Sequence, residues 1–127
     1  MKSGNETAQS LIAELSLAFQ SSGYSVNSDY SFASGYSVDI VATGRNCSLI
    51  IEVKNKSRLN NSDVMQVIAY QTMAERELSR KVTAYLLGLN SQFDNVTKEY
   101  AKITGIKMIT GDSDAILQRI LSEINGN

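Results

Sequence analysis

Two short apolar segments that each carry one acidic residue decide the fold: SVDIV at residues 37–41 and IIEVK at residues 50–54. Both are rich in β-branched residues, which favours β-strands. Side chains alternate between the two faces of a strand, so Glu52 and Lys54 share one face of the second strand. If the two strands form a hairpin through the turn at residues 43–46, Asp39, Glu52 and Lys54 converge at one edge of a sheet.

The segments before and after this hairpin have the residue patterns of helices and of further strands. Apolar residues three and four positions apart predict an amphipathic helix over residues 5–22, and Gly23 ends it. The remaining predicted elements are strands at 24–32, 36–42, 47–54, 82–88 and 106–110, and helices at 63–79, 92–103 and 112–124. The order α-β-β-β-α-β-α-β-α predicts an α/β fold (α+β, mixed sheet), in which parallel strands extend a three-strand meander.

Length and composition limit the possible function classes. The 127 residues, of which 43% are hydrophobic, predict a single globular domain spanning residues 1–127. The sequence contains no histidine, which excludes His-ligated metals, Ser-His-Asp triads and Cys-His dyads. Its one cysteine, Cys47, cannot form an internal disulfide and is interpreted as a small buried apolar residue.

Charge and hydropathy predict the cellular location of the protein. The formal net charge is −1, which argues against a protein that coats nucleic acid, although a local basic strip remains compatible with it. No apolar run approaches the roughly 20 residues that a membrane-spanning helix needs. The first residues have no apolar signal core behind them. We therefore expect a cytoplasmic protein that does not associate with membranes.

The polar residues of the hairpin suggest a metal site. A Glu-x-Lys pair on a strand is commonly a solvent-facing ion pair, but an aspartate within an apolar strand needs a partner or a metal. The carboxylates of Asp39 and Glu52, together with the carbonyl of Val53, would form an oxygen site suited to Mg²⁺. Lys54 could then orient a water molecule or stabilise charge on a phosphate oxygen.

This pattern resembles the PD-(D/E)xK nuclease superfamily, which has the restriction-endonuclease-like fold. The resemblance rests on Asp39, a gap of twelve residues and then Glu52-Val53-Lys54, although Val38 replaces the proline of the motif. It covers nearly the whole chain and implies an αβββαβ core with an added αβα C-terminal segment. It also implies that Asp39 and Glu52 bind Mg²⁺, for which Mn²⁺ can substitute, and that Lys54 assists the attacking water.

A second element supports the resemblance. Gln66 and Tyr70 are four residues apart, so they lie on one helix face and resemble the Gln-x-x-x-Tyr element of RecB-like nucleases. In those proteins the glutamine helps to position the catalytic lysine or the substrate. We also expect Lys56 to contact substrate, as part of a basic strip in residues 45–58 that contains Arg45, Lys54, Lys56 and Arg58.

Several questions stay open at this stage. The first helix often supplies another carboxylate in this superfamily, and Glu6 and Glu14 are the candidates. The leading hypothesis is a Mg²⁺-dependent nuclease that cuts DNA as an endonuclease. The alternatives are a nuclease-fold nucleic-acid-binding or assembly module without catalysis, and an RNA-cleaving toxin domain of the same fold. The acidic balance favours a homodimer or a subunit of a larger nuclease complex over a solitary Holliday-junction resolvase.

Overall fold

The computed structural model describes residues 4–125, with side chains from residue 7 onward. Its helices and strands follow the predicted order along the chain. They are α1 (Gly4–Ser21), β1 (Ser25–Ser31), β2 (Ser37–Thr43), β3 (Ser48–Lys54), α2 (Asn61–Leu78), β4 (Val82–Leu89), α3 (Asn95–Thr104), β5 (Lys107–Gly111) and α4 (Ser113–Asn125). None of the described helices is long and apolar enough to cross a membrane.

The strands form one five-stranded sheet in the order β1-β2-β3-β4-β5. β1, β2 and β3 pair antiparallel, whereas β3, β4 and β5 pair parallel. The helices between the parallel strands provide the crossovers that parallel pairing requires. The predicted mixed sheet, with a meander extended by parallel strands, is therefore confirmed.

Helices cover both faces of this sheet. α1 and α4 pack on one face, where Leu11, Leu15 and Phe19 of α1 are buried against Ile51 of β3. α2 and α3 pack on the other face, together with Ile50 of the same strand. β3 is central and buried on both faces up to its last residue, Lys54. The end of β3 is therefore where the chain passes from the core to the surface.

Capping residues set the helix boundaries that periodicity misses. α2 begins at Asn61, earlier than predicted, because the Asn60 side chain accepts hydrogen bonds from the backbone N–H groups of Ser62 and Asp63. The Asp63 carboxylate in turn accepts from the Asn60 N–H at 2.9 Å, which completes a capping box. α3 begins at Asn95, later than predicted, because Asp94 is its cap.

The interpretation of Cys47 as a buried residue is wrong. Cys47 is exposed in the turn before β3, and its Sγ lies 3.2 Å from the hydroxyl of Tyr24. Low polarity alone suggested burial, but the turn carries this side chain outward before the strand enters the core.

Candidate active site

The two predicted carboxylates meet where β2 and β3 separate. The strands are paired from Thr43↔Ser48 to Ile40↔Ile51, and beyond that point side chains join them. The Asp39 backbone N–H donates to Oε1 of Glu52 at 3.2 Å. The backbone N–H of Val53 donates to Oδ2 of Asp39 at 2.7 Å. Each carboxylate is therefore fixed by the backbone of the opposite strand.

Burial and mutual repulsion govern the charge of this pair. Burial and the neighbouring Asp39 carboxylate, opposed by Lys54, raise the pKa of Glu52 to about 7. Burial also raises the pKa of Asp39, although the hydrogen bond from Val53 N–H acts in the opposite direction. Two negative charges so close together are costly in this environment, so the pair favours binding a proton or a cation.

Lys54 completes the predicted trio. Its Nζ lies 3.6 Å from Oε2 of Glu52, and its side chain is 23% exposed. Its position at the end of β3 places the ammonium group at the border between the carboxyl pair and solvent. The geometry therefore brings Asp39, Glu52 and Lys54 together at one edge of the sheet.

The residues of the pair fit a hard divalent cation. Two carboxylates that face one another supply oxygen atoms, the donors that Mg²⁺ prefers, and the pair carries more negative charge than its buried setting favours. Among residues 7–125 no group of three or more histidine, cysteine, aspartate and glutamate side chains could hold a metal ion. A cation here would therefore depend on Asp39, Glu52, backbone oxygen and water.

Tyr70 and Gln66, the predicted pair of α2, lie on one face of that helix. Tyr70 is buried on the α2 face of the sheet, and burial raises its pKa, followed by the charges of Glu52 and Asp39. Gln66 lies one turn earlier on the same helix face. Its Oε1 atom is buried and accepts no hydrogen bond from the described part of the chain. Such an atom is costly unless it has a donor, and a bound water, substrate or lysine could provide one.

Lys56 lies in the loop after β3 and forms a salt bridge with a residue of α2. Its Nζ lies 3.2 and 3.0 Å from the two carboxylate oxygens of the buried residue Asp63. The Lys56 carbonyl accepts from the hydroxyl of Ser91. Lys56 therefore ties its loop to the start of α2 and to the loop after β4, and its contact with substrate stays a prediction.

The basic strip is shorter than predicted. Arg45 lies in the turn before β3, at the opposite end of the strand from Lys54. Arg58 follows Lys56 in the loop and is exposed. The cations of the predicted strip that follow the carboxyl pair along the chain are therefore Lys54, Lys56 and Arg58, without Arg45.

The first-helix candidates do not join the site. Glu14 is exposed on α1, which packs on the opposite face of the sheet from the carboxyl pair. The side chain of Glu6 lies outside the described residues.

Sequence reasoning missed Asp29, which falls between the paired positions Ser28↔Ile40 and Tyr30↔Val38. Its φ of 50° interrupts the ladder of β1, and its charge contributes to the raised pKa of Asp39.

A groove of about 680 Å³ lies elsewhere on the molecule. Its walls include Tyr24, Tyr85, Lys107 and Arg119, and it opens at the start of β3 on the α1 side of the sheet. It is therefore separated from the carboxyl pair both along the strand and across the sheet.

Comparison with solved structures identifies proteins of the same architecture. A repair endonuclease from Pyrococcus abyssi aligns with a TM-score of 0.62 and 16% identity, over 89% of this chain and 48% of that chain. A complex of EndoMS with double-stranded DNA aligns with a TM-score of 0.64 and 17% identity, over 89% of this chain and 46% of that one. The small subunit of the heterodimeric restriction endonuclease R.BspD6I aligns with a TM-score of 0.57 and 13% identity, over 92% and 69% of the two chains.

These similarities establish the fold. The chain has the restriction-endonuclease-like fold that its sequence motif predicts, and it spans about half the length of the first two structures. No protein-family model matches the chain, and the comparison with curated proteins yields no match either.

Proposed function

We propose that this chain, which has a nuclease fold, is a Mg²⁺-dependent nuclease that cuts DNA internally. The observation that carries the proposal is the interlocked pair of Asp39 and Glu52, with the Lys54 ammonium 3.6 Å from Glu52. The structural similarity to repair and restriction endonucleases supports nucleic acid as the substrate, and the DNA-bound EndoMS structure favours DNA.

In this proposal Asp39, Glu52 and the carbonyl of Val53 hold the cation. When bound, Mg²⁺ or Mn²⁺ would lower the pKa of a water molecule and polarise the scissile phosphate. Backbone donors already fix the Asp39 carboxylate, so its geometry is largely set before a cation arrives. Glu52, whose raised pKa favours a bound proton, would act as a metal ligand in its ionised form.

Lys54 would stabilise negative charge on the phosphate or orient the attacking water. Its present partner is Glu52, and neutralisation of that carboxylate by a cation would leave the ammonium group available to substrate. The buried Oε1 of Gln66 is an acceptor without a donor, and it could hold the lysine or the water in place. Tyr70 would support this arrangement from the same helix face.

The first prediction separates catalysis from simple charge attraction. We expect Lys54→Ala to lower the cleavage rate about 10²- to 10³-fold, the usual effect of removing one charge-stabilising donor from a preorganised site. Arg58→Ala removes the same charge from the exposed loop and should weaken binding in a salt-dependent way instead. The measurement is single-turnover cleavage of closed circular DNA with Mg²⁺, with Mn²⁺ and with a chelator.

Lys56 is unsuitable as the matched control because Asp63 already engages its ammonium group. Equal, modest losses in Lys54→Ala and Arg58→Ala would contradict the catalytic role of Lys54. Binding without cleavage by the wild type would favour the nuclease-fold binding or assembly module. Cleavage of RNA alone would favour the RNA-cleaving domain. Cleavage of linear but not circular DNA would contradict internal cutting.

We also propose that the chain works as a homodimer or within a larger nuclease complex. The net charge of −1 gives the chain no overall attraction for DNA, so a single copy would depend on local groups of cations. One of the similar structures is itself a subunit of a heterodimeric enzyme. Light scattering with and without DNA would test this, because a monomer in both states would contradict a homodimer.

A further inference from the structure

An exposed aromatic ring lies beside the carboxyl pair at the tip of the β1–β2 hairpin. Tyr36 is 62% exposed and directly precedes β2, three residues before Asp39. Its carbonyl accepts from the backbone N–H of Phe32 across the turn at 2.8 Å. The Phe32 ring in turn packs on the ring of Tyr70, with centroids 5.9 Å apart. The hairpin tip is therefore joined to Tyr70 of α2.

Tyr36 lies on the same side of the sheet as the site. Tyr36 lies opposite Phe32 at the end of the β1–β2 ladder, so the two side chains share a face of the sheet. Phe32 is buried on the α2 side of the sheet, where Tyr70 also packs. Together with the Phe32 contact, this places Tyr36 on the rim of the candidate active site.

The hairpin tip that carries Tyr36 is held firmly against α2. Oε2 of Glu77 accepts from the backbone N–H of Ala33 at 2.8 Å, and Oε1 accepts from the hydroxyl of Tyr30 at 2.9 Å. The Ser34 hydroxyl donates to Sδ of Met73. The exposure of Tyr36 therefore reflects a supported turn rather than a loose one. Within residues 7–125 the Tyr36 hydroxyl has no hydrogen-bond partner.

We propose that Tyr36 stacks on an unpaired nucleobase beside the scissile phosphate, so that the preferred substrate has at least one unpaired nucleotide there. This inference rests on the proposed nuclease function. An aromatic ring next to cations that face a phosphate backbone is a typical platform for single-stranded nucleic acid. A base within a duplex is stacked between its neighbours on both faces, so it has no exposed face on which the Tyr36 ring could stack. Lys54, whose ammonium group lies 3.6 Å from Glu52, supplies the cation beside the carboxyl pair.

The test compares binding of single-stranded and fully paired DNA of the same sequence. Binding is measured by fluorescence anisotropy with Mg²⁺ in the Lys54→Ala background, which prevents cutting. We expect Tyr36→Ala to weaken single-strand binding about 5- to 150-fold and duplex binding less than about twofold. Tyr36→Phe keeps the ring and should bind like the parent. Leu17→Ala is the matched control, because Leu17 is similarly exposed, at 64%, on α1 across the sheet.

The outcomes separate this inference from the proposed function. Equal losses on both DNA forms, or a Tyr36→Phe loss as large as that of Tyr36→Ala, would overturn stacking. Tyr36→Leu keeps apolar bulk without a π-face, so it should resemble Tyr36→Ala, and thermal melting confirms that each variant is folded. A wild-type chain that neither binds nor cuts any nucleic acid would overturn the nuclease function instead. If the wild type cleaves DNA but Tyr36→Ala leaves single-strand binding unchanged, only the stacking inference is overturned.

Discussion

Glu52 binds its proton more tightly in the folded chain than in the unfolded chain. Burial and the Asp39 carboxylate raise its folded pKa to about 7, from an ordinary value of 4.5. Between these two values the folded state carries more protons than the unfolded state. The free energy of unfolding therefore falls as the pH rises from about 4.5 to about 7 and then levels off. The raised pKa of Asp39 acts in the same direction.

Glu52→Gln should remove most of this pH dependence. Without divalent cations, we expect the wild type to be less stable at about pH 8 than at about pH 5, and the variant to differ much less. Urea denaturation at the two pH values is the measurement. Glu14→Gln, which changes an exposed carboxylate on α1, should keep the pH dependence of stability that the wild type has. A wild type equally stable at both values would argue against a buried, coupled pair.

The positions of the three site residues could be read from the sequence, whereas their partners could not. Strand alternation and the length of the hairpin place Asp39, Glu52 and Lys54 at one sheet edge. The pairing of Lys56 with Asp63 depends instead on where α2 returns to the sheet. The proximity of Asp29 to Asp39 depends on a left-handed residue within β1. Neither feature has a local sequence signal strong enough to predict it.

At the scale of elements, the start of α2 determines where its functional face points. The Asn60–Asp63 capping box begins the helix, and Asp63 also binds Lys56 from the loop. Backbone hydrogen bonds from Leu59 N to Gln92 O and from Gln92 N to Ser57 O hold that loop against the segment after β4. The rotation of α2 about its axis, which directs Gln66 and Tyr70, is therefore fixed at its first turn.

Asp63→Ala tests this dependence. The variant keeps the N-cap Asn60 but loses the Asp63 half of the capping box and the ion pair with Lys56. We expect a cost of about 0.5–2 kcal/mol, the usual range for a lost capping interaction, and slower cleavage because Gln66 and Tyr70 shift. Asp94→Ala is the matched control: it removes the α3 cap, where the Asp94 carboxylate accepts from Thr97 N–H at 2.9 Å. Urea denaturation and single-turnover cleavage are the measurements. Similar cleavage rates for the two variants, at similar stability, would contradict a positioning role for the α2 cap.

Element order was predictable, and boundaries were less so, for a physical reason. The start of α3 was placed too early because Phe93 continues the apolar pattern of the helix. Phe93 precedes the cap at Asp94 and packs against the core from the loop. An apolar residue that is buried by tertiary packing looks the same in a sequence as one buried by a helix face. The start of α2 was missed as well, although the residues of its capping box, Asn60-x-x-Asp63, are present in the sequence.

For the whole molecule, cation binding and folding should be linked. A cation that binds only the folded chain stabilises it by about 2.7 kcal/mol at a concentration of 100 times its Kd. For a domain of this size that corresponds to a rise in Tm on the order of 10 °C. We expect Mg²⁺ or Mn²⁺ to raise the Tm of the wild type and a chelator to reverse the change. Differential scanning calorimetry at neutral pH is the measurement.

Asp39→Ala supplies the control for this linkage. Removal of one carboxylate leaves a single buried acid, so the Tm of the variant should respond weakly to either cation. The comparison concerns the shift with cation and not the Tm itself, which the substitution also changes. An equal shift in both proteins would place the cation elsewhere on the molecule.

The turn between β2 and β3 limits how this sequence can vary in length. Surface turns ordinarily accept insertions, and this one lies roughly 13 Å of strand away from the carboxyl pair. Arg80 fixes it by donating to the carbonyls of Gly44 and Arg45 and to the hydroxyl of Ser48. One added residue that slipped the pairing by one position would turn Asp39 toward the α1 face while Glu52 stayed where it is. The identities of the turn residues can therefore change more freely than the length of the turn, because that length sets the register of Asp39 against Glu52.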